Sequence, residues 1–327
     1  MTRTGSRSWL VNTEARVLAH GPDILIRRGG LVSRCTGEGI GEFVVDLLDK
    51  AVEGRVVLDA AGADEDRRAR FEALMARLVA GGLFFESGVG GDGEADDTDP
   101  VAVGLWQRGG GAVERADVQE RLRTRPVRVV GSCGLAEDLR AALAGAGLQI
   151  AADGAPAATA VVVGAHEEDP VLTEWNAARL EEGAPDPWLA VVSFNGGQAL
   201  VGPWVVPGES ACYECFLLRR ASVFGVHEVS AALAGAEPVG PVFDGSARHP
   251  GMRLIQTGAV VDRITERVGL QDRSGQAVPG GVTTISLRHD EIGMEHHRVL
   301  RVPRCPRCSP SAGIGYPQVW YAKGAAE

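Results

Sequence analysis

Four of the six cysteines in this chain fall into two Cys-x-x-Cys pairs, Cys212-Tyr-Glu-Cys215 and Cys305-Pro-Arg-Cys308. A Cys-x-x-Cys turn lets two thiolates converge on one ion, and two such turns complete a closed tetrahedral shell of sulfur, for which zinc is the natural occupant. A closed shell leaves no position for water. The expected role is therefore structural, with the ion pinning the C-terminal end of the chain to the segment around residue 212. The competing chemistry is a redox dithiol, which normally sits at a helix start after a strand in a small thioredoxin-like fold; two of them in one chain would be unusual. Cys35 and Cys133 stand alone and read as small buried residues.

A second chemical candidate is a turn that departs from a nucleotide-binding pattern. The β-rich run Val127 to Val130 leads into Gly131-Ser132-Cys133-Gly134-Leu135-Ala136. In a βαβ unit this turn normally carries G-x-G-x-x-G, because the backbone must approach a pyrophosphate at the helix N-terminus. Cys133 stands at the second glycine position and Ala136 at the third. Asp153 follows at about 20 residues, where a ribose-binding acid would sit. Between Gly134 and Ser210 there is no lysine, and the only arginines are Arg140 and Arg179. The cation cluster that would stabilise a triphosphate during adenylation is missing from this stretch. The histidines His20, His166, His227, His249, His289, His296 and His297 have no ligand spacing, and the adjacent His296 and His297 would face opposite ways on a strand. Glu167, Glu168 and Asp169 read as a solvated helix N-terminus.

The elements that must position these groups follow from periodicity. Ala15 to Ala19 and Asp23 to Arg28 alternate around His-Gly-Pro, and Leu31 to Thr36 follows Gly-Gly, which predicts three short antiparallel strands. Ile40, Phe43, Val44, Leu47 and Leu48 have helical spacing, with Gly54 placed as a C-cap. Asp66 to Val79 predicts a second helix whose apolar stripe is Phe71, Leu74, Met75 and Leu78, opposite Arg67, Arg70 and Arg77. It ends at Gly81-Gly82, and Gly-Leu-Phe-Phe-Glu reads as a last short strand. Together these make a winged-helix arrangement of about 80 residues. The segment Glu86 to Asp99 cannot pack and reads as an acidic flexible linker. Beyond it, Val118 to Arg123 reads as a helix, Leu135, Leu139 and Leu143 mark another, and Leu148 to Ala151 and Thr159 to Val163 read as strands. A helix over Val171 to Leu180 and a strand over Trp188 to Ser193 continue the alternation of an α/β fold with a parallel sheet. Gln-Ala-Leu-Val-Gly-Pro-Trp-Val-Val after Gly196 reads as a hairpin. Gly235 to Gly251 reads as a long loop, and residues 252 to 268 as a helix with Leu254, Val261, Ile264 and Val268 on one side. The domains expected are 1–85, the linker 86–99, and 100–327.

Charge limits the partners. The net charge is −10, and Glu86 to Asp99 supplies six acids and no base, leaving about −4 for the rest with no Lys/Arg block to neutralise phosphates. Nucleic acid is not an expected partner, although a winged helix with zinc is also the outline of a transcription factor. No apolar run reaches the roughly 18 residues needed to cross a bilayer, and Met1 to Leu10 lacks the apolar stretch of a secretory signal. No membrane association and a cytoplasmic location are expected. Lys50 and Lys323 are the only lysines against 31 arginines, so a single Arg carries little meaning.

The segment QERLRTRPVRVVGSCGLAEDLRAALAGAGL resembles the start of the ThiF/ubiquitin-activating superfamily, and VGPWVVPGESACYECFLLRR with VPRCPRC resembles its zinc site. More narrowly, an N-terminal PqqD-like winged helix joined to such a body resembles the ThiF-like ("ocin-ThiF-like") partner proteins of YcaO cyclodehydratases. The resemblance implies a non-catalytic, leader-peptide-binding scaffold, commonly homodimeric, that brings a ribosomal precursor peptide to a separate YcaO enzyme for thiazole or oxazole formation, as in bacteriocin biosynthesis. The departures at Cys133 and Ala136 fit a member that does not adenylate; the alternative is an ATP-dependent ThiF-type adenylating enzyme. The leader would add a strand to a sheet edge. Carried onto this sequence, the edge is Leu31, Val32, Ser33, Arg34 and Cys35, facing a helix with Arg67, Arg70, Phe71, Leu74 and Arg77. The ordinary reading comes first for each: Phe71 and Leu74 read as core, and the arginines as a solvated face whose charges contribute little.

Overall fold

The chain divides into two units, Met1–Gln119 and Glu120–Glu327. The structure is a computed structural model that describes residues 8–12, 14–37, 39–51, 55–57, 65–87, 99–109, 113–152, 154–223, 245–288 and 291–309. In the first unit, strands β2 (Ala15–His20), β3 (Asp23–Arg28) and β4 (Leu31–Cys35) form the antiparallel meander expected from their alternation. Its turns use Gly21 and Gly29, both in the left-handed region. Ile24 and Ile26 face inward to meet Val44 and Leu47 of α1 (Ile40–Asp49) and Met75 and Leu78 of α2 (Glu65–Ala80). The expected cap Gly54 lies outside the described residues; α1 ends at Lys50.

In this unit the strands Ser8–Val11 and Arg55–Val57 and the helix Pro100–Arg108 carry no local signal, whereas Phe84–Ser87 is the short strand expected from Gly-Leu-Phe-Phe-Glu. Strand β1 (Ser8–Val11) is the centre of a second sheet, between β5 (Arg55–Val57) and β6 (Phe84–Ser87). Each is too short to show a period, and each is held by partners distant in sequence. Asn12 locks the arrangement by donating its side-chain amide to the carbonyl of Gly82 at 2.7 Å. Helix α3 (Pro100–Arg108) starts where the acidic segment ends: Asp99 Oδ1 accepts from the amides of Val101 and Ala102 at 3.0 and 3.2 Å, satisfying two of the free donors of a helix start. Trp106 meets Phe85 edge-on, ring centroids 5.3 Å apart, and so α3 belongs to the first unit. Residues 88–98 of the expected linker lie outside the described residues.

The second unit is a six-stranded sheet in the order β12-β11-β10-β9-β8-β7. Strands β7 (Val127–Val130), β8 (Thr159–Gly164) and β9 (Trp188–Val192) are parallel. Their connections are α5 (Gly134–Gly145) and α6 (Pro170–Glu181), and α4 (Arg115–Thr124) precedes them. Strands β10 (Gln198–Val205), β11 (Gly281–Arg288) and β12 (Glu291–Arg298) continue the sheet antiparallel. Helices α7 (Tyr213–Val223) and α8 (Pro250–Leu270) complete the described elements. The chain is thus mixed α/β. Among the described residues no helix is long and apolar enough to cross a membrane.

Several sequence expectations are corrected here. Leu148 to Ala151 is not a strand; it touches β7 through one bridge, Val127 to Ile150, because Ala-Ala and Gly154 (φ +77°) turn the chain away at once. The stretch expected as a hairpin is the single strand β10 (Gln198–Val205). The reversal comes earlier, where Asn195 Oδ1 accepts from the amides of Gly197 and Gln198 at 3.0 and 2.9 Å. The hairpin β11–β12 has no sequence signal, because β12 is exposed along most of its length. On α8 the buried stripe is Met252, Gln256, Val260, Ile264 and Val268, with Leu254 70% exposed. A hydrophobic pattern misses this because Gln256 is buried through its hydrogen bonds, donating to the carbonyls of Val192 and Leu200 at 2.7 and 3.2 Å. The Gly235 to Gly251 stretch is described only from residue 245, where a 3-10 turn (Gly245–Arg248) leads into α8.

Gly202 shows why Gly-Pro occurs inside a buried strand. The pairing of β10 with β9 shifts register between Val201 and Trp204, and a Cβ on Gly202 (φ +125°) would lie 2.4 Å from the Gly281 carbonyl oxygen and 2.7 Å from Val282 Cα. Both obstacles are backbone. Gly202→Ala is expected to cost about 2–4 kcal/mol, combining an unfavourable φ with overpacking; a denaturant-unfolding midpoint unchanged from the parent would contradict this.

Candidate functional site

The four paired cysteines converge. Cys212 precedes α7 and Cys215 lies in its first turn, while Cys305 and Cys308 sit on turns after β12. The Sγ separations are 3.8 Å for Cys212–Cys215, 3.7 Å for Cys212–Cys305 and 3.5 Å for Cys215–Cys308. All four thiols lie within 4.8 Å of one another, three of the residues buried and Cys308 half-buried. Cys212 does occupy a helix start, the location expected of a redox dithiol, but the second pair closes over it. The incoming turn is shaped by Arg304 at φ +62°, and the Val302 amide donates to Cys215 Sγ at 3.3 Å.

The electrostatics suit a cation. Cys215 is held down to about 4, chiefly because the Cys212 thiol donates to it, with the Val302 amide and the other thiols adding to this against the effect of burial. Cys212 is pushed up by that same hydrogen bond and by burial. Burial, and then the neighbouring Cys215, raises Cys305 to about 11. One thiolate shared among buried thiols is incomplete without a positive centre, and four sulfurs at this spacing can hold a metal ion.

Helix α7, which begins within the first pair and carries Cys215, is firmly seated. The Tyr213 amide donates to Asn176 Oδ1 at 3.0 Å, and its hydroxyl donates to the Glu167 carbonyl at 2.8 Å. Arg220 forms a two-pronged ion pair with the Glu167 carboxylate. Glu167 is therefore not the solvated acid that its position suggested. Asp169 caps α6, accepting from the Val171 and Ala165 amides at 3.0 and 2.8 Å.

The departed glycine turn lies at the C-terminal ends of the parallel strands. Gly131 is required there, since a Cβ would meet the Val163 carbonyl oxygen at 2.6 Å. Cys133 precedes α5 half-buried, its Sγ 3.8 Å from Ser193 Oγ, rather than buried as expected. Arg140 donates to the carbonyls of Val129 and Gly131 at 3.0 and 2.7 Å, so it braces the turn. The structure adds one cation that the local sequence could not show. Arg253, from α8, donates to the Gly134 carbonyl at 2.7 Å and pairs with Asp138, while His249 stacks edge-on against Phe194 at 5.1 Å. Arg253 comes from a helix more than a hundred residues beyond the turn, so no local pattern marks it. Asp153, His227 and His289 lie outside the described residues.

In the first unit, β4 pairs only with β3 among the described strands, leaving its other edge open. Leu31 and Val32 are 69% and 60% exposed, while Ser33 is half-buried and Cys35 buried. Arg34 is exposed, and its guanidinium is tied to the buried Asp23, the Nε donating at 2.8 Å. Of the α2 residues, Arg70 is exposed and Arg77 donates to the Thr36 carbonyl at 2.8 Å, tying α2 to the end of β4. Phe71 meets Trp9 and Phe43 at 5.7 and 5.8 Å, and Leu74 packs on the same core. These two serve the core. The Arg67 side chain lies outside the described residues.

No family model matches this chain, and no curated protein matches it. Solved structures do. A heterocyclase in complex with substrate and cofactor aligns at TM-score 0.62 and 17% identity, over 92% of this chain and 39% of that one. The heterocyclase TruD aligns at 0.60 and 21%, over 93% and 43%. MccB of E. coli aligns at 0.60 and 14%, over 94% of this chain and 99% of that one. This chain spans about two-fifths of the length of the two heterocyclases, and at these identities the likeness is one of fold: the mixed α/β architecture described above is shared with TruD and MccB.

Proposed function

We propose that this chain is a leader-peptide-binding scaffold of peptide heterocyclisation: it captures a ribosomal precursor peptide and presents it to a separate YcaO cyclodehydratase that forms azolines. In this reading the first unit is a PqqD-like winged helix and the second a ThiF-like Rossmann-type body. The protein acts in the cytoplasm as a homodimer without catalysing the reaction. The observation that carries the reading is the open β4 edge with its two exposed apolar side chains, because a strand edge gives affinity through main-chain bonds and specificity through alternate side chains. The likeness to heterocyclases over more than nine-tenths of this chain supports the same pathway class. Zinc is the proposed ion: bonds of roughly 2.3 Å give a tetrahedron with edges of roughly 3.8 Å; three of the sulfur separations are 3.5 to 3.8 Å, and all four sulfurs lie within 4.8 Å of one another. Cys212, Cys215, Cys305 and Cys308 would hold it, and it would supply structure rather than chemistry.

Two observations favour the adenylating alternative: the likeness to MccB, which has been solved with ATP, covers nearly all of both chains, and Arg253 supplies a cation at the glycine turn. The two readings separate in one experiment. The purified full chain is expected to bind the short peptide encoded beside it at micromolar concentration and to show no ATP–pyrophosphate exchange. Exchange above background would establish the alternative, and absence of peptide binding would remove the scaffold reading.

A further inference from the structure

The second unit contains a cavity that none of these roles uses. It lies where α7 crosses the sheet, has a volume of about 380 Å³ and is floored by Leu200, Phe216 and Val282, all at most 5% exposed. Its far wall is the segment just after β12, Val299 and Leu300. That wall is fixed in place, because the next turn donates the Val302 amide to Cys215 Sγ.

The ionisable groups that line the cavity are basic, and Thr284 adds a hydroxyl. Arg219, Arg220, His297 and Arg298 line it, and among the described residues no carboxylate does. Two of the four are already engaged: Arg220 with Glu167, and His297 with Glu295 at 3.5 Å. Arg219 reaches the Arg301 carbonyl at 3.4 Å, which uses one of its five donors. Among the described residues neither Arg219 nor Arg298 has an ion-pair partner, although the chain as a whole is acidic. An apolar floor with a few convergent charged groups at the mouth is the usual form of a small-ligand site.

We propose that this cavity binds an apolar carboxylate, its hydrocarbon body on Leu200, Phe216 and Val282 and its anionic head between Arg219 and Arg298. The inference is independent of peptide capture by the first unit. The probe is decanoate, added to the full chain and read by displacement of anilinonaphthalene sulfonate fluorescence. Saturable displacement at one site is expected, with decylammonium and decanol at least tenfold weaker. Arg298→Glu and Leu300→Glu both alter exposed side chains; each is expected to weaken decanoate at least fivefold while leaving the thermal melt in place. Equal displacement by decanoate and decylammonium would overturn the proposal, as would unchanged decanoate affinity in both variants.

Discussion

Cys215→Ser, or removal of the ion by a strong chelator, is expected to take the metal content from one zinc per chain to near zero and to unfold the Glu120–Glu327 unit at temperatures where the parent is folded. The size of the effect follows from comparing two quantities. Structural zinc contributes apparent binding free energies of about 10–16 kcal/mol in small domains, whereas a whole domain is stable by about 5–15 kcal/mol. The ion would join α7 to turns 93 residues further on, and without it the buried thiols are left crowded around a single thiolate. The same geometry predicts proton release. Cys215, held at about 4, is already ionised at neutral pH, while Cys212 and Cys305, both raised and Cys305 to about 11, are protonated in the metal-free protein. Loading zinc must displace at least those two protons. Calorimetric titration in buffers of different ionisation enthalpy measures this, and falling pH weakens retention because protons compete for the thiolates. A melt unchanged by the variant, or a preparation made without chelator that holds no metal, would remove the structural-zinc reading.

The paired substitution Leu31→Glu with Val32→Glu is expected to weaken leader-peptide binding by ten- to a hundredfold, measured by fluorescence anisotropy on the full chain. The two side chains are 69% and 60% exposed in the free protein, so their replacement should shift stability by no more than about 0.5 kcal/mol. Covering each by a bound strand contributes roughly 1 kcal/mol, and every 1.4 kcal/mol is about tenfold in affinity. Charge placed on the open edge also acts against added strands. Arg70→Ala, on the exposed face of α2, should cost only about two- to threefold, as rim charges act mainly on association rate and salt dependence. Arg77 is different, since its guanidinium holds the Thr36 carbonyl; its replacement should loosen the α2–β4 junction and appear in the melt. Equal affinity of the paired variant and the parent would place the peptide elsewhere.

Sequence spacing alone identified the four-cysteine cluster, the β2–β3–β4 meander, the two helices packed against it, and the alternation of strands and helices from Val127 to Val192. Each depends on a local rule: a Cys-x-x-Cys turn brings two thiols together, and periods of two and of about four residues mark strands and helices. Strands β1 and β5 of the first unit, the β11–β12 hairpin and the true buried face of α8 were decided by tertiary structure. The two short strands gain order only from distant pairing, the hairpin exposes most of β12 and so lacks a clean alternation, and α8 buries a glutamine whose side-chain NH2 donates to two backbone carbonyls. The sites divide in the same way. The thiols could be found because they come in local pairs, but their joint geometry and unequal ionisation exist only once the chain has folded. Arg253 at the glycine turn and the basic mouth of the cavity had no local signature, because residues far apart in sequence assemble them.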